Sequence, residues 1–171
     1  LVVLHAFPLG PRMWLDLADL LVGDPTVLAP DLPGFGISPS GPDVAMHHPG
    51  VAQPSVEVMA DAVARALAFA GVTRAVVAGL SMGGYVALAL AERRPDLVAG
   101  LGLLDTKAAA DPDDARATRH RVADQVLAEQ TVEAVLGMRT SLLGATTRER
   151  RRDLEATVER WIADQGAAGV A

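Results

Sequence analysis

Six consecutive residues, Gly79-Leu80-Ser81-Met82-Gly83-Gly84, carry the side chain best suited to do chemistry in this sequence. They follow an all-apolar run, Ala75-Val76-Val77-Ala78, and precede a helical pattern that stops at Pro95. A serine at such a strand–turn–helix junction projects its hydroxyl from the carboxyl edge of a sheet, where it can serve as a nucleophile. So sharp a turn forces the serine backbone into a sparsely populated conformation. Gly79 and Gly83, two residues before and two after, let the neighbouring backbone pass without a Cβ clash. The helix that starts here points its free N–H groups and positive dipole end at the same spot, so a developing oxyanion would be stabilised there. The bland alternative is a glycine-rich turn whose serine only caps the helix. The strand before and the helix after favour the nucleophile.

The elements that must hold this turn alternate short apolar runs with longer amphipathic stretches. Residues 1–4 read as a buried strand, residues 5–11 as a Gly/Pro loop, and residues 26–29 as a short strand. Met13, Trp14, Leu17, Leu20 and Leu21 recur at three-and-four spacing, one face of a helix. Pro and Gly fill residues 30–42 and recur through 38–54, which predicts a long, mobile connection. Ser55 stands where an N-cap belongs, Val56, Met59, Val63, Leu67 and Ala70 line one helix face, and Gly71 closes it. Residues 75–78 and 98–104 lack polar alternation, as strands covered on both faces do. Strand and helix alternating in this way predict right-handed βαβ units and a parallel sheet. After Asp105 no strand pattern follows: Asp111 can cap a helix with Pro112 in its first turn, and residues 131–139 and 148–165 predict two more.

Two further motifs sit at the ends of the first two strands: His5-Ala6-Phe7-Pro8-Leu9-Gly10 and Asp31-Leu32-Pro33-Gly34-Phe35-Gly36. Together with the serine turn, in this order and spacing, they resemble the α/β-hydrolase fold superfamily, in particular its esterase, lactonase and perhydrolase-like members. The resemblance runs from residue 1 to about residue 105. It implies an α/β fold with a mostly parallel, incomplete sheet: a partial core over residues 1–110 and a helical cap over residues 111–171. It implies Ser81 as nucleophile and the backbone N–H groups of Met82 and Phe7 as the oxyanion hole. His5 and Asp31 would order their loops rather than react. Ala6 departs from the family pattern, which usually has glycine there. The activity implied is hydrolysis of a small carboxylic ester or lactone through an acyl-Ser81 intermediate. Cofactor-free perhydrolysis and C–C bond hydrolysis use the same turn, and a catalytically inactive binding module is the alternative from outside the enzymes.

A serine nucleophile needs a base and an acid to orient that base. In this fold they follow in the order Ser, Asp or Glu, then His. Asp105 and His120 satisfy that order, but His120 lies between two arginines on the polar face of an expected cap helix. The family's histidine follows a later core strand, so the catalytic acid and histidine are expected beyond Ala171. Leu1 already belongs to a strand pattern, and both ends of the domain are expected to continue past this sequence, which alone should show little esterase activity. His47 and His48 are adjacent and would point apart if extended, a poor arrangement for one metal.

Composition closes off other functions. The 171 residues carry 15 Lys+Arg against 21 Asp+Glu, a net charge of −6, which gives nucleic acid and anionic membrane no basic footprint. With no cysteine there is no disulfide scaffold, thiol nucleophile or Cys-ligated metal, and no cofactor is implied. The run Arg148-Glu149-Arg150-Arg151-Arg152-Asp153 alternates with acids and reads as a solvated helix face. No signal segment or membrane-length apolar stretch is present in the sequence, from which a cytoplasmic enzyme with a small-molecule substrate is expected.

Overall fold

The computed structural model describes residues 1–23, 25–39 and 55–171. Most of the connection expected over 38–54, with His47 and His48, therefore lies outside the described residues.

Three strands, β1 (Val2–Leu4), β2 (Ala75–Leu80) and β3 (Val98–Leu104), form a parallel sheet in the order β1-β2-β3. The register pairs Leu4 with Gly79 and Leu80 with Leu104. Three parallel strands ending level with one another bring the segments that follow them to a single carboxyl edge. The loop from His5, the turn at Ser81 and the turn at Asp105 thus become neighbours.

The strand expected over 26–29 is reduced to a single bridge between Val2 and Leu28. Leu28 still exchanges two backbone hydrogen bonds with this edge, donating to Leu1 O and accepting from the Val3 N–H, both at 2.9 Å. Pro25 and Pro30 flank it, and a proline has no N–H with which to lengthen a ladder.

Helix α3 (Met82–Arg93) packs against all three strands, and α2 (Val56–Phe69) packs against α3. Val63, Leu67, Val86 and Leu90 share one buried core with Val77, each side chain contributing about 1.5–3 kcal/mol by burial. The ends of α2 are those expected: Ser55 Oγ accepts the Val58 N–H at 3.3 Å. Gly71, at φ +71°, closes it with the paired Val72-to-Leu67 and Gly71-to-Ala68 bonds of a Schellman turn. Helix α3 ends at Arg94, which leaves the helical region at φ −137° and ψ 61°, as a residue before proline is pushed to do.

The first amphipathic stretch differs from expectation. It forms a 3-10 turn, Pro11–Trp14, then a helix α1 of only six residues, Leu15–Leu20. Trp14 is buried, but Leu20 is 77% exposed, because the chain leaves helical geometry at Leu21 before the stripe can turn inward.

From residue 111 on, the described residues form helices and turns without a strand. They are α4 (Asp113–Glu129), α5 (Glu133–Leu136), a 3-10 turn Gly137–Thr140, α6 (Ala145–Arg150), α7 (Arg152–Ala163) and α8 (Ala167–Val170). The helix α4 starts one residue later than expected, with Pro112 rather than Asp111 at the cap. The Asp111 carboxylate is taken instead by Lys107 and Arg119, which hold its pKa below the usual carboxylate range. The helix expected over 148–165 breaks at Arg151, whose guanidinium grips Asp153 two residues on. Side chains two apart do not face each other on a continuous helix, so that grip goes with the break. Among the described residues, no helix is long and apolar enough to cross a membrane.

Candidate active site

Ser81 occupies the one-residue gap between β2 and α3, with φ 52° and ψ −112°. That backbone lies outside the ordinary left-handed well and is costly for any residue bearing a Cβ. The surroundings hold it there. The Ser81 N–H donates to Leu104 O at 3.0 Å, and the Ser81 carbonyl accepts from the Gly84 N–H at 2.9 Å and from Thr106 Oγ1 at 2.8 Å.

The glycines of the turn answer to close packing. A Cβ on Gly79 would strike the carbonyl of Gly83, and one on Gly83 would strike the carbonyl of Leu4. Gly84, outside the expected spacing, has its own reason: a Cβ there would lie 2.5 Å from Thr106 Oγ1. The doubled glycine was the signal in the sequence, but its partner becomes visible only with the turn after β3.

Met82 is the first residue of α3, so its N–H has no intrahelical acceptor. Neither that N–H nor the Phe7 N–H is engaged by a described backbone or side-chain group. Both residues border one cavity of about 570 Å³, together with Phe35, Met59 and His120. A second cavity of about 350 Å³ is lined by Phe7, Val122, Ala134, Val135 and Met138. The two share Phe7, Arg119, Val170 and Ala171.

His5 is fully buried and stacks edge-on against Phe35. Its Nε2 accepts the Leu32 N–H at 3.0 Å, while Nδ1 faces the Ala6 carbonyl at 3.2 Å. A nitrogen that accepts from an amide carries no proton, so the ring is neutral with its hydrogen on Nδ1, donating to Ala6. Burial pushes the His5 pKa below 6.5, against weaker opposing effects of the Ala6 bond and the Asp31 charge. The ring thereby ties the loop after β1 to the loop at Leu32. Asp31 orders the latter loop by accepting the Ile37 N–H, and its carboxylate packs where a Cβ on Gly36 would stand. Ala6, the departure from the family pattern, is buried and donates its N–H to Met13 Sδ at 3.3 Å.

Asp105 follows β3 with φ 40°, a left-handed conformation that aspartate tolerates better than most residues, and its side chain is exposed. His120 is exposed on α4 and reaches the wall of the larger cavity. Neither is hydrogen-bonded to Ser81, whose hydroxyl has no side-chain partner among the described residues. Among the same residues, no group of three His, Asp or Glu is arranged to hold a metal.

The model of the alpha/beta hydrolase fold family matches residues 1–161. The chain belongs to that family. One α/β-hydrolase relative, the pimeloyl-[acyl-carrier protein] methyl ester esterase of Aromatoleum aromaticum, is 39% identical over 106 residues, 62% of this chain and 36% of the relative. A thermophilic esterase from Thermogutta terrifontis superposes with a TM-score of 0.81 at 32% identity, over 99% of this chain and 59% of the esterase. The enol-lactonase from Burkholderia xenovorans LB400 shares the fold, with a TM-score of 0.77 at 23% identity over 99% and 61% of the two chains. The chain thus spans about a third of the curated α/β-hydrolase relative's length and about six-tenths of the solved ones.

Proposed function

We propose that this protein is a serine hydrolase acting on a small carboxylic ester or lactone, with Ser81 as nucleophile. The observation that carries the reading is the strained Ser81 backbone at the carboxyl edge of β2, directly before the Met82 N–H, which no described residue engages. Strain of this kind persists only where the surroundings over-determine it. The Ser81 hydroxyl attacks the carbonyl carbon of the substrate and loses its proton to a base. The carbonyl oxygen becomes an oxyanion, which the N–H groups of Met82 and Phe7 stabilise. Collapse breaks the bond to the alcohol oxygen, which leaves with a proton, and water then cleaves the acyl–Ser81 ester. Residues 111–171 act as a cap over this edge, and residues 1–110 as its core. The esterase likenesses support this substrate class.

A fluorophosphonate probe tests the reading, because it forms a phosphonyl–serine bond with loss of fluoride. The full-length protein should be labelled, and Ser81→Ala should not. Labelling that survives the substitution overturns Ser81 as nucleophile. A panel of short acyl esters and lactones then fixes the substrate class.

A further inference from the structure

We propose that Thr106 is a positioning residue for the oxyanion hole; the proposal rests on the reading of Ser81 and Met82 given above. Thr106 Oγ1 donates to the carbonyl of Ser81 at 2.8 Å. That carbonyl belongs to the same peptide unit as the Met82 N–H. A peptide is planar and trans, so its C=O and N–H point in opposite directions. Fixing the carbonyl therefore aims the N–H. Thr106 holds it together with the first-turn amides of Gly84, at 2.9 Å, and Tyr85, at 3.3 Å, so the Met82 N–H points the opposite way. A bond donated to the carbonyl also polarises the peptide and makes its N–H a stronger donor.

Three further observations converge on this contact. The Thr106 side chain fills the space a Cβ on Gly84 would need, so the second glycine of the turn and the threonine are matched. The left-handed Asp105 at φ 40° redirects the chain after β3, setting Thr106 beside the Ser81 turn. Leu104, the last residue of β3, receives the Ser81 N–H, so the end of β3 and the turn after it together grip both peptide units that flank the Ser81 α-carbon.

The test compares Thr106→Val and Thr106→Ser in the full-length protein, by steady-state kinetics on a short acyl ester and by the rate of fluorophosphonate labelling. Thr106→Val removes the donor at nearly constant volume. It should lower kcat and the labelling rate about 10-fold while KM stays within about two-fold, short of the ~100-fold expected for loss of an oxyanion donor itself. Thr106→Ser keeps the hydroxyl and should hold both rates within about three-fold of the original. A purely structural role would lower the melting temperature without this split or this rescue. If Thr106→Val does not fold, Thr106→Ala removes the same hydroxyl and takes its place. Full labelling rate in a folded variant lacking the hydroxyl overturns the proposal, as does a Thr106→Ser variant as slow as Thr106→Val. An original protein that fails to label, or a Ser81→Ala variant that labels, instead removes the underlying assignment, and Thr106 falls with it.

Discussion

Gly83 lies with its α-carbon against the carbonyl of Leu4, so close that a side chain at this position would overlap the β1 backbone. This contact sets how near α3 can approach the sheet, and with it how far the Ser81 turn stands out from the carboxyl edge. The obstacle is main chain on both sides, so no rotamer change can relieve it. Gly83→Ala is expected to cost about 3 kcal/mol or more, at the upper end of overpacking penalties. Chemical denaturation of the variant against the original protein checks this. A loss below about 1 kcal/mol would mean that β1 and α3 can move apart freely.

The serine turn was legible in the sequence where it depends on local geometry. Ser81, Gly79 and Gly83 could be read from one strand–turn–helix pattern, and Ser55 and Gly71 from helix-end chemistry. What could not be read depends on partners distant in sequence. The carboxylate of Asp111 was free to cap a helix until the fold placed Lys107 and Arg119 beside it. The need for Gly84 depends on Thr106, on the neighbouring strand's turn. The apolar run at 26–29 gave no sign that flanking prolines would leave only one bridge.

His5 makes the fold sensitive to acid. In the folded protein the ring is neutral and its pKa is depressed below 6.5, chiefly by burial. The unfolded chain therefore binds a proton that the native ring refuses. Stability from this residue is present above pH 6.5 and is lost as pH falls from there through the folded pKa. Protonation would also place a new N–H against the Leu32 N–H that Nε2 now accepts. Denaturation midpoints measured from pH 8 to pH 5 should fall more steeply for the original protein than for His5→Phe. The variant itself should be less stable at pH 8 by about 1–3 kcal/mol, because the Leu32 N–H is left unsatisfied. Parallel slopes for the two proteins would remove His5 as the source.

Among the C-terminal helices, apolar packing should outweigh charge. Ile162 on α7 is fully buried in the same cluster as Val126 and Val135. Ile162→Ala should cost about 2–5 kcal/mol through lost burial and the cavity left behind. Arg139 reaches Glu159 at 3.3 Å and Glu155 at 3.8 Å, with all three side chains roughly a third or more exposed. Solvent screens such contacts, so Arg139→Met should change stability by less than about 1 kcal/mol. Thermal melts of the two variants side by side decide the ranking. An Arg139 effect as large as that of Ile162 would show that the ion pairs, and not the apolar cluster, hold α7 in place.

The smaller cavity, beneath α4 and α5, should give the proposed esterase a measurable preference for chain length. Phe7 stands on the wall it shares with the cavity at Met82, so an acyl chain leaving Ser81 past Phe7 would enter a space of about 350 Å³ bounded by Val122, Ala134, Val135 and Met138. Each methylene taken out of water there is worth about 0.8 kcal/mol, which is roughly four-fold in binding. Ala134→Trp would fill much of that space from α5, away from the Ser81 turn. The variant should keep its kcat/KM on p-nitrophenyl acetate within about three-fold, because an acetyl group does not extend beyond Phe7. On p-nitrophenyl octanoate it should lose at least ~10-fold, the equivalent of two or so methylenes denied burial. The ratio of the two specificity constants is the quantity to measure, since it cancels any difference in the fraction of active protein. An unchanged ratio in a folded variant would place the acyl chain elsewhere, in the larger cavity beside Met59 and His120.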